Sequence, residues 1–389
     1  MKICHAYIFF SIKFAGGTSD LMYKIVKAQA KAGLSPAILS GDYKLDEKLA
    51  GTLKGVDFYV EKSIFDKEGF SVMPGLSRWC ERNLRNFDIV HMHVYRTFQN
   101  IVLYRYCKKF NIPYIMDAHG SVPYYKRKNF IKKLFDRIWG RKILRDACLL
   151  VAETRIGVDE YMDLDPDLPR DEIAILSPPF DTDEYIHLPP RGLFRKLYNI
   201  AEDEKVISFL GRVHHIKGND FLIKGFAEYV KRGAKARLVI IGPDDGHMDE
   251  CKQLAKELNV SDSVVFTGFL GGEHKNSALV DADIVVQLSR QEQGAWAPME
   301  AVLCGTPIIV TSHTGTGEDI KRLDAGYLVD FDDIGGLADR FGEIFQHYGD
   351  AKSKTMKAKQ YIEDNLSMNT RINEYTELYN KCINGKRVA

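Results

Sequence analysis

The chain has 389 residues, a formal net charge of +1, 45% hydrophobic and 28% charged residues, the balance of an ordinary globular protein with room for two or three domains. A near-neutral total excludes bulk electrostatic attraction to nucleic acid, and no apolar run reaches the roughly 18 residues a membrane span needs. Seven cysteines, Cys4, Cys80, Cys107, Cys148, Cys251, Cys304 and Cys382, are scattered without C-x-x-C spacing. They read as buried small hydrophobes in a reducing compartment. The first residues lack a cleavage-type pattern, so the expected location is the cytoplasm.

In the first half, apolar runs from Ile3 to Phe10, Ala37 to Leu39, Ile89 to His91, Tyr114 to Met116 and Cys148 to Ala152 alternate with helix-like stretches such as Asp20 to Ala32 and Phe98 to Phe110. Such alternation predicts a parallel sheet with helices on both faces and ligands at the carboxyl ends of the strands. Gly16-Gly17 follows the first strand and precedes a helix capped by Thr18 or Ser19, either as a tight turn or as a ligand-contacting loop. His91 and His93 end another strand; read as facing opposite sides, they do not both serve one ligand, and at least one is structural. His119 leaves a buried strand beside Gly120, where imidazole can hydrogen-bond a hydroxyl or share a proton near neutral pH.

The segment 124–145 carries nine Lys/Arg against one Asp. Drawn as a helix, it puts Phe130, Ile131, Leu134, Phe135, Ile138 and Trp139 on one half and Lys132, Lys133 and Arg137 on the other. Two readings fit: a core-packed helix with a solvated basic face, or a surface that docks on an anionic membrane.

Four prolines between Ser177 and Pro190 mark an interdomain linker. The resulting division is 1–178, 179–367, and a helical tail at 368–389. A second alternating series follows: Val206 to Leu210, Leu238 to Ile241, Val264 to Thr267, Ile284 to Leu288, Pro307 to Val310 and Gly326 to Val329. After its first strand, Arg212 and Lys217 share a loop with Gly211 and Gly218. A guanidinium fork and an ammonium point charge converging on one anion suit a diphosphate. Gly268 ends a later strand and is followed by Phe269, and Thr314 to Glu318 closes another loop. Asp163-Leu164-Asp165 and Asp281-Ala282-Asp283 satisfy a D-x-D pattern, but Asp-rich turns are common and no metal site is assigned.

Glu292 and Glu300 bracket seven residues, among them Gly294, Ala295, Trp296 and Ala297. Small residues there let a ligand approach the backbone. Pro298 reads as a first helical residue and Gly305 as the cap, which sets free N–H groups and a dipole's positive end beside the loop, ready for phosphate. Carboxylates do not hold phosphate; their natural partners are hydroxyls. A ligand with phosphate in its middle and a polyol at each end is a nucleotide sugar.

This stretch resembles the signature of family-4 retaining glycosyltransferases: a glutamate, seven residues, a second glutamate followed by Ala, then Gly-x-Pro before an apolar strand, here Glu292, Glu300, Ala301, Gly305 and Pro307. The Gly211-Arg212 to Lys217-Gly218 loop, the Gly16-Gly17 loop and Asp117-Ala118-His119-Gly120 are similar to other elements of that family, in the same order. Two places depart from it. Gly294-Ala295 stands where Phe-Gly is usual, and Ser177-Pro178-Pro179-Phe180-Asp181 where Pro-Asn-Gly-Val-Asp is usual.

The resemblance implies an α/β chain of two Rossmann-like domains facing a deep cleft (the GT-B fold), with a helix from Thr370 to Ile383 crossing back to the first domain. It implies transfer of a hexosyl group from a nucleoside diphosphate sugar, UDP ahead of GDP, to a glycan or lipid-linked hydroxyl in surface polysaccharide assembly, with retention and without a metal cofactor. Arg212 and Lys217 would grip the diphosphate, Glu292 the sugar and Glu300 the ribose. Gly211, Gly294, Ala295 and Trp296 would line the donor loops, Gly268 and Phe269 the base, and His119 with Gly16-Gly17 the sugar or acceptor. A GT-B epimerase, an inverting transferase or a silent nucleotide-sugar-binding partner are the alternatives.

Overall fold

The computed structural model describes residues 1–12, 17–67, 70–124 and 129–385. The chain divides into two compact units, Met1–Phe180 with Leu366–Ala389, and Asp181–Asn365. Each is built on one parallel sheet.

In the first unit the strands are β1 (Lys2–Phe9), β2 (Ser35–Gly41), β3 (Asp57–Glu61), β6 (Ile89–His93), β7 (Tyr114–Asp117), β8 (Leu149–Ala152) and β9 (Ile173–Ile175), in spatial order β3-β2-β1-β6-β7-β8-β9. A small antiparallel hairpin, β4 (Phe65–Lys67) and β5 (Phe70–Val72), stands apart. The buried central strands carry near-continuous apolar runs, which is why the sequence shows them. The edge strand β3 and the three-residue strands lack such runs and escape a pattern search. The helix Gly17–Lys31 buries Leu21, Met22, Ile25 and Val26, one stripe at helical spacing.

The helix Met368–Ile383 starts at Ser367, whose side chain caps Thr370 N. It buries Ile372, Tyr375, Tyr379 and Cys382 and packs on the helix Gly17–Lys31 and on β6. This docking overturns one expectation about the cysteines. Cys148, just before β8, and Cys382 lie 5.7 Å apart at Cα and form a disulfide, a separation such a bond requires. The other five are free and buried.

The basic segment departs from the core-packed reading as well. Its described part is a helix from Asn129 to Phe135, continued by a π-helical turn, Asp136–Gly140, and by Arg141–Arg145. The turn sits where the buried Asp136 carboxylate takes Arg96 (2.8 Å) and the Tyr124 hydroxyl (2.7 Å). Phe135 is buried, yet Phe130 is 78%, Ile131 61%, Leu134 46% and Ile138 41% exposed. Only one edge of the expected apolar half faces the core.

The second unit orders its strands β12-β11-β10-β13-β14-β15: β10 (Lys205–Leu210), β11 (Ala236–Ile241), β12 (Val264–Gly268), β13 (Ile284–Gln287), β14 (Ile308–Thr311) and β15 (Tyr327–Val329). That is the doubly wound order in which the winding reverses between the first and fourth strands. Three of the four aspartates in the two D-x-D motifs are spent on structure. Asp281 accepts from Gly192 N and Arg195 N, and Asp283 from Arg191, Arg195 and Val206 N. Asp165 is held by Arg145 at 2.6 Å.

Candidate functional site

The winding reversal of the second sheet lies between β10 and β13, and the two motif loops leave the carboxyl ends of those two strands. Gly218 has φ +68°, and a Cβ on it would lie 1.9 Å from the Leu288 carbonyl oxygen, so only glycine lets the first loop rest on the end of β13. Arg290 N donates to Ile216 O (2.8 Å), and the Arg290 guanidinium forks onto Asp220 (2.8 and 2.5 Å). The loop is pinned from below, and Lys217 is carried to Glu292.

The two form an ion pair, with Ser289 Oγ also donating to the same carboxylate oxygen at 3.1 Å. Both side chains are largely shielded, 19% and 17% exposed. Arg212 is half exposed and pairs with Asp245 instead. Gly211, at φ +151°, packs under Gly242, whose added Cβ would meet the Gly211 carbonyl at 1.8 Å.

The loop after β13 is stitched to its neighbours through backbone groups. Ala295 N donates to Thr316 Oγ1 (2.6 Å) and Gly315 N to Glu292 O (3.1 Å), which draws the start of the helix Gly315–Leu323 against Gly294 and Ala295. The neighbouring helix runs Trp296–Leu303, so Pro298 is its third residue and not its first. The proline fits there because the first turn has no N–H acceptor to lose. Gly305 follows the helix at φ +77°, as a left-handed end requires. Glu300, on this helix, is held by Lys275 at 2.7 Å, and burial together with the neighbouring Glu300 pushes the Tyr185 hydroxyl up. Gly268 closes β12 at φ +71°, and Phe269 beyond it is half exposed.

In the first unit, Gly16 lies outside the described residues, and Gly17 opens its helix. His119 follows β7 with φ +46°. Its Nδ1 faces Glu153 (3.1 Å) and Asp117 (3.3 Å), and its Nε2 faces His93 Nδ1 (2.9 Å). Burial opposes a charge on this ring, but Asp117 and Glu153 outweigh it and raise its pKa. Burial, reinforced by Glu153, pushes Asp117 up to about 6.

The expectation that His91 and His93 face apart is wrong. Residues two apart on a strand share a face, and these rings stack with centroids 4.1 Å apart. His91 bonds Tyr379 (2.8 Å) and is structural, whereas His93 reaches His119.

Two family models divide this chain between them: residues 15–184 match the one described as Glycosyltransferase Family 4, and residues 191–363 match Glycosyl transferases group 1. The chain belongs to glycosyltransferase family 4. It is 23% identical over 390 residues to an uncharacterised glycosyltransferase of Methanocaldococcus jannaschii, covering 97% of this chain and 98% of the other. It is 30% identical over 262 residues to a D-inositol 3-phosphate glycosyltransferase of Corynebacterium aurimucosum (63% and 60% covered). With the mannosylfructose-phosphate synthase of Agrobacterium fabrum it shares 27% over 271 residues (62% and 58%). The chain thus spans about three fifths of the last two.

The GT-B fold of the family is shared with Anabaena HepE, solved with UDP and glucose: TM-score 0.81, 15% identity, 98% of this chain and 100% of that one. No helix among the described residues is long and apolar enough to cross a membrane.

Sequence reasoning missed Ser289, Lys275, Thr316 and Glu153. Lys275 and Thr316 act on residues far away in sequence and carry no local signature, whereas Ser289 stands three residues before the Glu292 it serves. Glu153 had a signal: it leaves a buried strand at its carboxyl end, as His119 does.

Proposed function

We propose that this family member moves a hexosyl group from a nucleoside diphosphate sugar, UDP ahead of GDP, to a hydroxyl of a glycan or lipid-linked acceptor, with the anomeric configuration kept. The observation that carries this reading is the Lys217–Glu292 pair at the winding reversal of the second sheet. Each partner there holds the other's place. An incoming diphosphate takes Lys217, and Glu292 is released to accept from sugar hydroxyls.

Arg212 joins by leaving its exposed pair with Asp245, and the N–H groups at the start of the helix Trp296–Leu303 face the phosphates. Fixed positive charge aimed at the departing diphosphate lowers the barrier without reorganisation. No divalent cation is needed in this reading, because Arg212 and Lys217 supply the positive charge that the departing diphosphate would otherwise take from one. Lys275 sets Glu300 for the ribose, Gly268 and Phe269 meet the base, and His119 with the Gly16-Gly17 loop meets the sugar or acceptor.

Melting with UDP, GDP and ADP tests it. A nucleotide at about 100 times its Kd adds about 2.7 kcal/mol, and for a unit of this size that is a rise of about 5–10 °C. UDP should give the largest rise, and flat curves with all three would overturn the reading. Proton NMR of the first-formed product from a hydrolysed donor then separates retention from inversion.

A second reading concerns place. Exposed Phe130, Leu134 and Ile138 form one helical row, and Lys133, Arg137 and Arg141 the next. Apolar residues beside a basic row are the chemistry that docks on an anionic bilayer, here the inner face of the cell membrane. Sedimentation with vesicles of one-third phosphatidylglycerol should capture the protein at low salt and release it at high salt, and Phe130→Ser with Ile131→Ser should abolish capture. Equal sedimentation of that variant would remove the proposal.

A further inference from the structure

Four neighbouring strands of the first sheet, β1, β6, β7 and β8, each deliver one group to a single line: His5, His93, His119 and Glu153. His5 Nδ1 lies 3.0 Å from His93 Nε2, and His93 Nδ1 2.9 Å from His119 Nε2. The ring planes are inclined by only 21° and 3°, with centroids 5.3 and 5.2 Å apart. Rings at those separations with nitrogens in contact lie end to end, not face to face, and each nitrogen is spent on a hydrogen bond. His5 is 0%, His93 1% and Glu153 6% exposed, so water does not complete these bonds.

A neutral imidazole has one N–H and one lone pair. A line of neutral rings must therefore donate in a single direction, and its ends choose which. At the inner end His5 Nε2 meets Gln29 Oε1 at 2.8 Å. Gln29 is oriented by its amide, which donates to the Tyr379 hydroxyl (3.4 Å), and that hydroxyl lies 2.8 Å from His91 Nδ1. His5 thus donates from Nε2 to Gln29, His93 from Nε2 to His5, and His119 from Nε2 to His93. That leaves His119 Nδ1 facing two carboxyl groups, and the line closes only if this nitrogen is also protonated.

Resting on the reading of His119 as a site residue, we propose that His5, His93 and Glu153 are positioning residues: they form a proton-ordered wire that holds His119 as an imidazolium. His119 then serves as a fixed positive charge at the end of β7. With no lone pair left, it is not a base. The groups facing it are Asp117 from β7, Glu153 from beyond β8 and His93 from β6, with His5 and His91 further along. From the packed helices come the hydroxyls of Tyr161, Tyr375 and Tyr379, which burial keeps protonated, and Arg371 beyond Tyr375.

The test is nitrogen-15 NMR of histidine-labelled full-length protein at pH 7, with His119 assigned by the signal lost in His119→Gln. Both ring nitrogens of His119 should carry protons. Glu153→Gln should release one of them at a pH lower by about one unit or more. His5→Leu is decisive, because it touches neither His119 nor a carboxylate. With the inner acceptor gone the line reverses, His93 donates to His119, and His119 becomes neutral at pH 7. A neutral His119 in the wild type, or a charge unmoved by His5→Leu, overturns the wire. Should His5→Leu fail to fold, the wild-type spectrum and Glu153→Gln decide. None of these spectra needs a sugar donor, so the wire and the transferase reading stand or fall separately.

Discussion

Lys217→Ala is expected to lower turnover of a nucleotide sugar by about 10²–10³, the cost of removing one preorganised charge from a departing group. The loss should fall on kcat more than on KM, because the ammonium matters most as the diphosphate gains charge. Stability should fall by about 1–3 kcal/mol, because the pair is largely shielded and the Glu292 carboxylate keeps, among the described residues, only the Ser289 hydroxyl as its donor. Steady-state rates with a saturating donor, set beside melting curves, check both statements. A near-normal kcat would detach Lys217 from the chemistry.

Asp283→Ala should be the most damaging single change to the second unit, costing about 3–5 kcal/mol, because it leaves a buried guanidinium unpaired. Arg195 is 6% exposed; its Nη1 already goes to the Ala201 and Glu204 carbonyls at 3.0 and 2.9 Å, and its buried Nε has no acceptor among the described residues. Val206 N loses its acceptor in the same stroke. Arg191→Ala is the control. That arginine bonds the same carboxylate but is 49% exposed, so its loss should cost no more than about 1 kcal/mol. Urea titration of the two variants compares them directly, and equal midpoints would show that burial does not set the cost.

The α/β architecture was legible because the central strands are buried on both faces and announce themselves as apolar runs. The two motif loops of the second unit were legible because their requirements are local: glycine where a side chain would strike Leu288, small residues beside Glu292, and a left-handed helix end at Gly305. What stayed hidden depends on pairs far apart in sequence. Whether Asp281 and Asp283 bind metal or arginine turns on Arg191 and Arg195, some 90 residues earlier.

The sequence of the segment 124–145 showed a two-sided character but not which apolar residues find a neighbour. Phe135 and Phe130 look alike in sequence and differ wholly in exposure. The cysteine pairing likewise follows from where one helix docks, not from spacing. The His91–His93 error had a simpler cause, a miscounted strand period.

The first unit is discontinuous: it closes only when the segment after Leu366 returns to it. During translation, then, the ribosome must make the entire second unit before Tyr379 can reach Gln29 and His91. Through that interval the side of the helix Gly17–Lys31 and the His91 ring that the last helix covers stay open to solvent. The amino-terminal part of the first unit is thus left without its carboxyl-terminal helix until synthesis is almost finished.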